Sequence, residues 1–178
     1  APVQLSTGFI AATIPDSMAL KLSMQIDPEQ FSEALEGDTK KTELDVMGAA
    51  VDDRGIISTF KQILTITPQT LESHQPVIWH QELTVPPGLY QVRVAIRERT
   101  TGWTGSALQW IEIPDLAQSK LQMSSLFIAE RREDGTPAGP TPVKVSVDHT
   151  FKAGSVLRYQ TYLYSSSADS LSNLEVRA

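Results

Sequence analysis

The fold is decided by residues 85–116, which read VPPGLYQVRVAIRERTTGWTGSALQWIEIPDL. From Tyr90 to Arg97, apolar and polar side chains alternate, which is typical of a β-strand with one face buried. A turn-forming stretch, Thr-Thr-Gly-Trp-Thr-Gly at residues 100–105, follows, and the chain returns as a second apolar strand over residues 107–113. The pattern therefore predicts a β-hairpin with two long arms.

A sharp corner precedes this hairpin. The run Pro86-Pro87-Gly88 cannot continue a strand, and Tyr90 stands two residues after the glycine. Immunoglobulin-like sandwiches place a tyrosine at such a corner, where its hydroxyl bonds to upstream backbone and anchors the chain as it crosses between sheets. We predict that Gly88 and Tyr90 form such a structural corner. The alternative is a Tyr90 ring that merely packs.

Alternation with period two also dominates the chain upstream of this corner. One strand is predicted over residues 18–26, and a second hairpin joins residues 44–50 to residues 60–66 through an Asp-Asp-Arg-Gly turn. Helical patterns are limited to single turns at residues 30–35 and 114–121. The fold class is therefore predicted as all-β, an immunoglobulin/fibronectin III-like antiparallel sandwich followed by a shorter set of β-strands.

The chain divides near residue 116 in this interpretation. Residues 1–116 are assigned to the immunoglobulin-like β-sandwich, and residues 117–178 to an additional β segment, either part of a second sandwich or added strands. The additional segment has strand-like runs at 121–128, 143–147 and 156–164, which are too few for a sandwich of about 100 residues.

The additional segment needs a partner, because unpaired strand edges and the apolar face of residues 156–164 would otherwise be exposed. We expect it to pack as added strands against residues 1–116, since the linker at 114–119 is short. The alternative is a homodimer through 156–164, because the chain reads as truncated just where a new strand begins. The sequence starts at Ala1 without Met or a signal peptide, which indicates a piece excised from a longer protein.

Composition excludes several classes of function. The formal charge is −6, from 15 basic and 21 acidic residues, which argues against nucleic acid as a partner. Arg93, Arg97 and Arg99 form the tightest basic group and are interpreted as a solvated outer face of one strand. The chain has no Cys, so disulfides and thiolate chemistry are excluded. No apolar run reaches the about 20 residues of a membrane span.

The 85–116 block resembles a known family. It is similar to the region that follows the von Willebrand A domain in the VWFA-related proteins of Acidobacteria, where a Pro-Gly-x-Tyr-x-Val-Arg-Val-Ala-x-Arg strand is followed by a Gly-Ser turn and a closing Pro-Asp-Leu. The matching positions are Pro87, Gly88, Tyr90, Val92, Arg93, Val94, Ala95, Arg97, Gly105, Ser106, Pro114, Asp115 and Leu116.

This resemblance implies a C-terminal β region of an exported, multidomain bacterial protein, located in the periplasm or outside the cell. Its partners would be neighbouring domains of the same protein or another protein. The family's metal site is an Asp-x-Ser-x-Ser motif of the von Willebrand A domain. That domain is absent here, since Asp16-Ser17 is followed by Met, so no metal ligand is carried over.

The titratable side chains predict no catalytic, cofactor or metal site. His74, His80 and His149 do not have the spacing of a common metal motif. Asp52 and Asp53 fall in a predicted turn, where carboxylates usually accept bonds from local amides. Glu82 and Glu112 are isolated strand carboxylates without an evident partner, so neither a calcium site nor a glycosidase pair is favoured.

The three tryptophans offer the remaining candidate for ligand contact. Trp79 and Trp110 are expected to pack, and Trp103 to cover the end of the hairpin. In the alternative, Trp103 is an exposed ring on which a sugar stacks. The sequence therefore predicts a non-enzymatic structural or protein-interaction module, and the alternative function is a carbohydrate-binding module.

Overall fold

The computed structural model describes residues 3–27, 41–67, 76–116, 121–130, 146–151 and 153–165. The strands in these ranges are Val3–Ala11 (β1), Met18–Ile26 (β2), Thr42–Asp52 (β3), Gly55–Ile66 (β4), Val77–Val85 (β5), Gly88–Glu98 (β6), Thr104–Ile113 (β7), Leu121–Met123 (β8), Phe127–Glu130 (β9), Leu157–Gln160 (β10) and Leu163–Ser165 (β11). No helix occurs among the described residues, including 114–116, where a helical turn was expected. The other expected turn, at 30–35, lies outside the described residues.

The first seven strands form two antiparallel sheets. One sheet has the order β1-β2-β5 and the other β4-β3-β6-β7. Both predicted hairpins are confirmed, as β3–β4 and β6–β7, and β2 has the predicted bounds. A bulge between Ala50 and Val51 interrupts the register of β3 with β4.

The inner faces of these two sheets pack against each other, which confirms the predicted antiparallel sandwich. The side chains that alternation places inward on β2, β3 and β6 are the most deeply buried ones. Those that are at most 2% exposed include Leu20, Leu22, Met24, Ile26, Leu44, Val46, Tyr90, Val92, Val94 and Ile96. Burial of these apolar side chains is the main stabilising contribution to the fold.

The corner before β6 has the geometry that the sequence predicts. The hydroxyl of the buried Tyr90 donates a hydrogen bond to the backbone oxygen of Pro86 at 2.8 Å. Gly88 has a φ of 157°, and a Cβ added there would lie 3.4 Å from the Tyr90 hydroxyl oxygen. Burial raises the pKa of Tyr90, so the hydroxyl remains a donor at neutral pH.

Replacing Tyr90 by phenylalanine is expected to lower the free energy of unfolding by about 0.5–1.5 kcal/mol, because the Pro86 carbonyl loses its donor while the ring still fills the core. Urea denaturation of the two proteins measures this difference. An unchanged midpoint with an unchanged slope would show that the ring packs and that the hydrogen bond adds nothing.

The later strands form two small sheets that dock on the free edge of β1. Strand β8 pairs with β11, and β9 pairs with β10. The Phe9 amide donates to Ser125 Oγ at 3.0 Å, and the Ser125 amide donates to the Phe9 carbonyl at 3.1 Å. The Ala11 amide donates to the Tyr164 hydroxyl at 2.9 Å. The described part of the additional segment therefore packs within the chain; a homodimer through 156–164 stays a prediction.

Two of the strands predicted in this segment are wrong in their extent. The 121–128 strand is divided at residues 124–126, and the 156–164 strand is divided at Thr161 and Tyr162. At the break the Ser124 amide still donates to the Tyr162 carbonyl at 2.8 Å, but the Tyr162 amide donates to Ser124 Oγ at 2.9 Å. Serine side chains compete in this way with regular ladder pairing.

The third strand predicted in the segment, over residues 143–147, falls mostly outside the described residues. Ser146 and Val147 are described and are not in a strand. The Ser146 amide nevertheless donates to the Ile128 carbonyl of β9 at 3.0 Å.

Candidate binding surface

The turn that carries Trp103 is anchored by a buried carboxylate. Glu98 is fully buried, and its oxygens accept hydrogen bonds from the Thr42 hydroxyl, the Thr100 amide and both the amide and the hydroxyl of Thr101. Burial alone would raise the pKa of Glu98, but these four donors outweigh it and bring the pKa to about 2. The carboxylate thereby ties the turn after β6 to the start of β3.

Trp103 itself is half-buried and lies against the core cluster near β1. Its ring covers Gly105, where an added Cβ would come within 2.8 Å of it. Trp103 therefore covers the end of the hairpin, as the packing interpretation expects, rather than standing out as a stacking platform.

The other two tryptophans differ from each other. Trp79 packs as expected, with its ring centroid 5.1 Å from that of Phe60. The expectation that Trp110 packs is wrong, since its side chain is 58% exposed. Trp110 alternates with Ile111 and Gln109, and it is Ile111 that contacts the core.

Trp110 belongs to a set of apolar side chains on the outer face of the four-stranded sheet. Leu108 on β7 and Leu89 on β6 are 52% and 57% exposed, and Met47 on β3 is 41% exposed. Register places Gln91 opposite Trp110 and Arg93 opposite Leu108. We call this surface, which comprises Met47, Leu89, Arg93, Leu108 and Trp110, the outer face. Exposed apolar side chains that are contiguous on one sheet mark interaction surfaces.

The middle of the outer face is an open depression of about 690 Å³. Its lining includes the small side chains of Ala49, Ala95 and Ser106 on three adjacent strands, with the longer Met47 and Leu108 beside them. Small residues on neighbouring strands leave a hollow because no side chain rises above the backbone there.

Charged side chains surround this depression. Arg93 and Arg97 flank Ala95 along β6, and Lys61 lies opposite Met47 on β4. None of these three cations forms a salt bridge with a described residue; Arg93 Nε hydrogen-bonds the side chain of Gln91 instead. The interpretation of the basic group as a solvated strand face holds for Arg93 and Arg97, both of which are exposed.

Arg99 is already engaged beyond the end of β6. Its guanidinium donates to Glu43 Oε2 at 2.6 Å and to Asp45 Oδ1 at 2.7 Å. The hydrogen bond from Arg99 is the main cause that lowers the pKa of Asp45. The charges of Lys61 and Arg97 also act on Asp45. Arg93, Arg97, Arg99 and Lys61 thus carry four positive charges against the two carboxylates, so the surroundings of the depression keep a net positive charge.

Three further titratable side chains, those of Asp52, Glu82 and His80, have local partners. Asp52 accepts from Arg54, whose side-chain hydrogen bond lowers the pKa of Asp52. Glu82, which was expected to lack a partner, is paired with Lys21 across the strands β2 and β5. The His80 ring bonds to Ser23 at 2.9 Å.

A metal site is not evident in the parts of the chain that the structure describes, since no three His, Asp or Glu side chains converge there. Asp45, Asp52 and Asp53 do not come together, and His74 lies outside the described residues. The described residues also include no helix that could span a membrane.

Comparisons with known proteins add little to this description. No protein-family model and no curated protein matches the chain. Among solved structures, a calcium-binding mutant of Bacteroides uniformis β-glucuronidase 2 is 13% identical over 68% of this chain and 13% of its own, with a TM-score of 0.42. A second structure, described as a Bacteroides uniformis β-glucuronidase, is 12% identical over 72% of this chain and 14% of its own, with a TM-score of 0.41.

Proposed function

We propose that this chain is a non-enzymatic protein-interaction module that docks a protein partner through the outer face of its four-stranded sheet. The partner is a neighbouring domain of the same protein or a separate protein. The observation that carries the proposal is the exposure of Trp110, Leu108 and Leu89 on one sheet face, whose other face is fully used by the core.

The chemistry of this face suits protein docking. Tryptophan and arginine are the residues that contribute most often to the binding free energy of protein interfaces. Trp110 lies across from Gln91 and next along the sheet to Arg93 and Leu108, so one contact region combines an aromatic anchor, an aliphatic side chain and a guanidinium. The rigid ladder of β6 and β7 holds these side chains before a partner arrives, which reduces the ordering cost of binding.

The cellular setting of this proposal comes from the family resemblance. The similarity of residues 85–116 to the β region of the VWFA-related proteins supports an exported, multidomain bacterial protein. In such a protein the module would act as a spacer or docking surface beside other domains, without catalysing a reaction.

Site-directed photo-crosslinking tests the docking role in the full-length protein in its own cells. A photoreactive phenylalanine analogue replaces Trp110, and a matched variant carries it at Lys21, on the outer face of the other sheet. We expect the Trp110 position to yield one defined cross-linked protein or domain, identified by peptide mass spectrometry, and the Lys21 position to yield none. Cross-links at random to many proteins, or equal yields at both positions, would refute docking through this face.

A carbohydrate-binding module is the second candidate, and the exposed ring of Trp110 favours it more than Trp103 does. Sugars stack on exposed aromatic rings, and the polar side chains of Gln91 and Glu112 are close to Trp110 in the register. A glycan array with the unmodified chain and with Trp110→Ala separates the two functions. A glycan that binds only the unmodified chain would establish the second candidate.

A further inference from the structure

We infer that the depression on the outer face binds an acidic, apolar peptide segment of the partner protein, with an aliphatic side chain seated over Ala95 and carboxylates beside Lys61, Arg93 and Arg97. This inference rests on the proposed function and adds the chemistry of the partner. Two properties of the depression carry it, its shape and its charge.

The shape of the depression fits an aliphatic side chain. Ala95 is paired with Ser106 on β7, and Ala49 is its diagonal neighbour on β3. Because these three side chains are small, they form the bottom of the depression. Met47 lies beside Ala95 and Leu108 lies beside Arg93, so apolar walls stand next to the floor. The open volume of about 690 Å³ can accommodate more than one side chain, as binding of a peptide segment requires.

The charge of the depression is opposite to that of the whole chain. The chain carries a formal charge of −6, yet the side chains around the depression leave three cations without salt bridges to described residues. Asp45 lies opposite Arg97 in the register, and both of its oxygens accept hydrogen bonds from Arg99. Its single negative charge is shared among Arg99, Lys61 and Arg97, so this group of side chains keeps more positive than negative charge. A partner that brings its own carboxylates would therefore complete the local charge balance.

Charge complementarity of this kind accelerates association and selects against basic partners. Arginine also binds carboxylates through two parallel hydrogen bonds, which fixes the register of an extended peptide. The exposed Arg93 and Arg97 lie four residues apart on one strand face, so they can hold carboxylates on both sides of the residue that occupies the depression.

Fluorescence anisotropy with labelled peptides tests the inference on the complete chain. The probe is Asp-Leu-Asp-Phe-Asp-Leu-Asp; one matched peptide has Lys in place of every Asp, and another has Ser in place of every Leu and Phe. We expect only the first peptide to bind saturably, and its affinity to fall at least about tenfold when the salt concentration rises from about 0.05 to about 0.5 M.

Two variants of the chain test whether the probe peptide binds at the depression. Arg93→Glu combined with Arg97→Glu is expected to weaken binding by at least about tenfold through charge repulsion, and Ala95→Trp to abolish it by filling the hollow. All three positions are on the side of β6 that faces away from the core, and circular dichroism checks that each variant is folded. Arg158→Glu on β10 is the matched charge-reversal control and should bind as the unmodified chain does.

Each result decides the inference. Equal binding of the Lys peptide or the Ser peptide, or full binding by the Arg93→Glu, Arg97→Glu variant, would overturn it. Binding of sulfated oligosaccharides with no binding of the acidic peptide would assign the cations to a glycan and also overturn it. If cross-linking at Trp110 identifies a partner whose contacting segment is not acidic, the proposed function stands and this inference alone fails.

Discussion

Replacing Glu98 by glutamine is expected to lower the free energy of unfolding at pH 7 by about 2–3 kcal/mol. Both carboxylate oxygens accept hydrogen bonds in a fully buried position, and a glutamine side chain offers only one acceptor oxygen. Its amide NH₂ would meet the backbone amide of Thr100 or of Thr101, and a backbone donor cannot reverse its role. Chemical denaturation at pH 7 measures the loss.

The pH dependence of this difference provides the second measurement. The pKa of Glu98 is about 2 in the folded chain and 4.5 as its ordinary value, so the folded state holds the proton more weakly than the unfolded state. The stabilisation from Glu98 is therefore complete above about pH 4.5 and is lost as the pH falls toward 2. The difference in the free energy of unfolding between the unmodified chain and Glu98→Gln should therefore decrease as the pH falls from about 4.5 to about 2.

Aspartates with lowered pKa values, such as Asp45 and Asp52, also contribute to acid denaturation, but they are present in both proteins and cancel in the difference. The Glu98→Asp variant keeps the charge on a shorter side chain and serves as a control for geometry. A difference in the free energy of unfolding that stays constant from pH 7 to pH 2 would show that the charge of Glu98 does not stabilise the turn.

Replacing Gly48 by alanine is expected to destabilise the sandwich by about 2 kcal/mol. Glycine in the interior of a strand usually costs stability relative to alanine, so propensity alone predicts the opposite sign. A Cβ at position 48 would lie 2.5 Å from the ring of Phe60 on β4 and 2.8 Å from the backbone oxygen of Arg93 on β6. Both neighbouring strands would have to move.

A double variant separates these two clashes. Phe60→Leu removes the ring edge, so Gly48→Ala should cost less in the Phe60→Leu background than in the unmodified chain, while the contact with the Arg93 oxygen remains. Thermal unfolding of the four proteins gives the coupling. A Gly48→Ala chain as stable as the parent would show that neither the Phe60 ring nor the Arg93 oxygen opposes a Cβ at this position.

Period-two alternation predicted the larger part of this fold correctly. The β6–β7 hairpin and the corner at Tyr90 follow from local patterns, because turn residues and strand parity are encoded within a few positions. Strands β1 and β5 were not predicted, since their burial depends on distant partners. The edge of β1 is covered by Ser125 and Tyr164, and sequence order does not reveal such contacts.

The features of the candidate site were harder to predict than the fold. Both faces of β7 carry apolar residues, so the alternation of side chains along the strand did not indicate whether Trp110 or Ile111 faces the core. The buried position of Glu98 was not predicted, although the sequence pattern indicates it. It occupies the next inward position after Val94 and Ile96, and a carboxylate at a core position requires several donors. The depression depends on three small residues from separate strands, which only the register brings together.

The docking of the later segment on β1 also sets an order of events during synthesis. The amides of Phe9 and Ala11 find their acceptors at Ser125 and Tyr164, the second of them 153 positions further along the chain. Strand β1 is therefore synthesised long before the residues that cover its outer edge. Until then its exposed amides can pair with any strand nearby, including that of another nascent chain. The edge of β1 therefore stays open to such pairing until residues 125–164 have been synthesised.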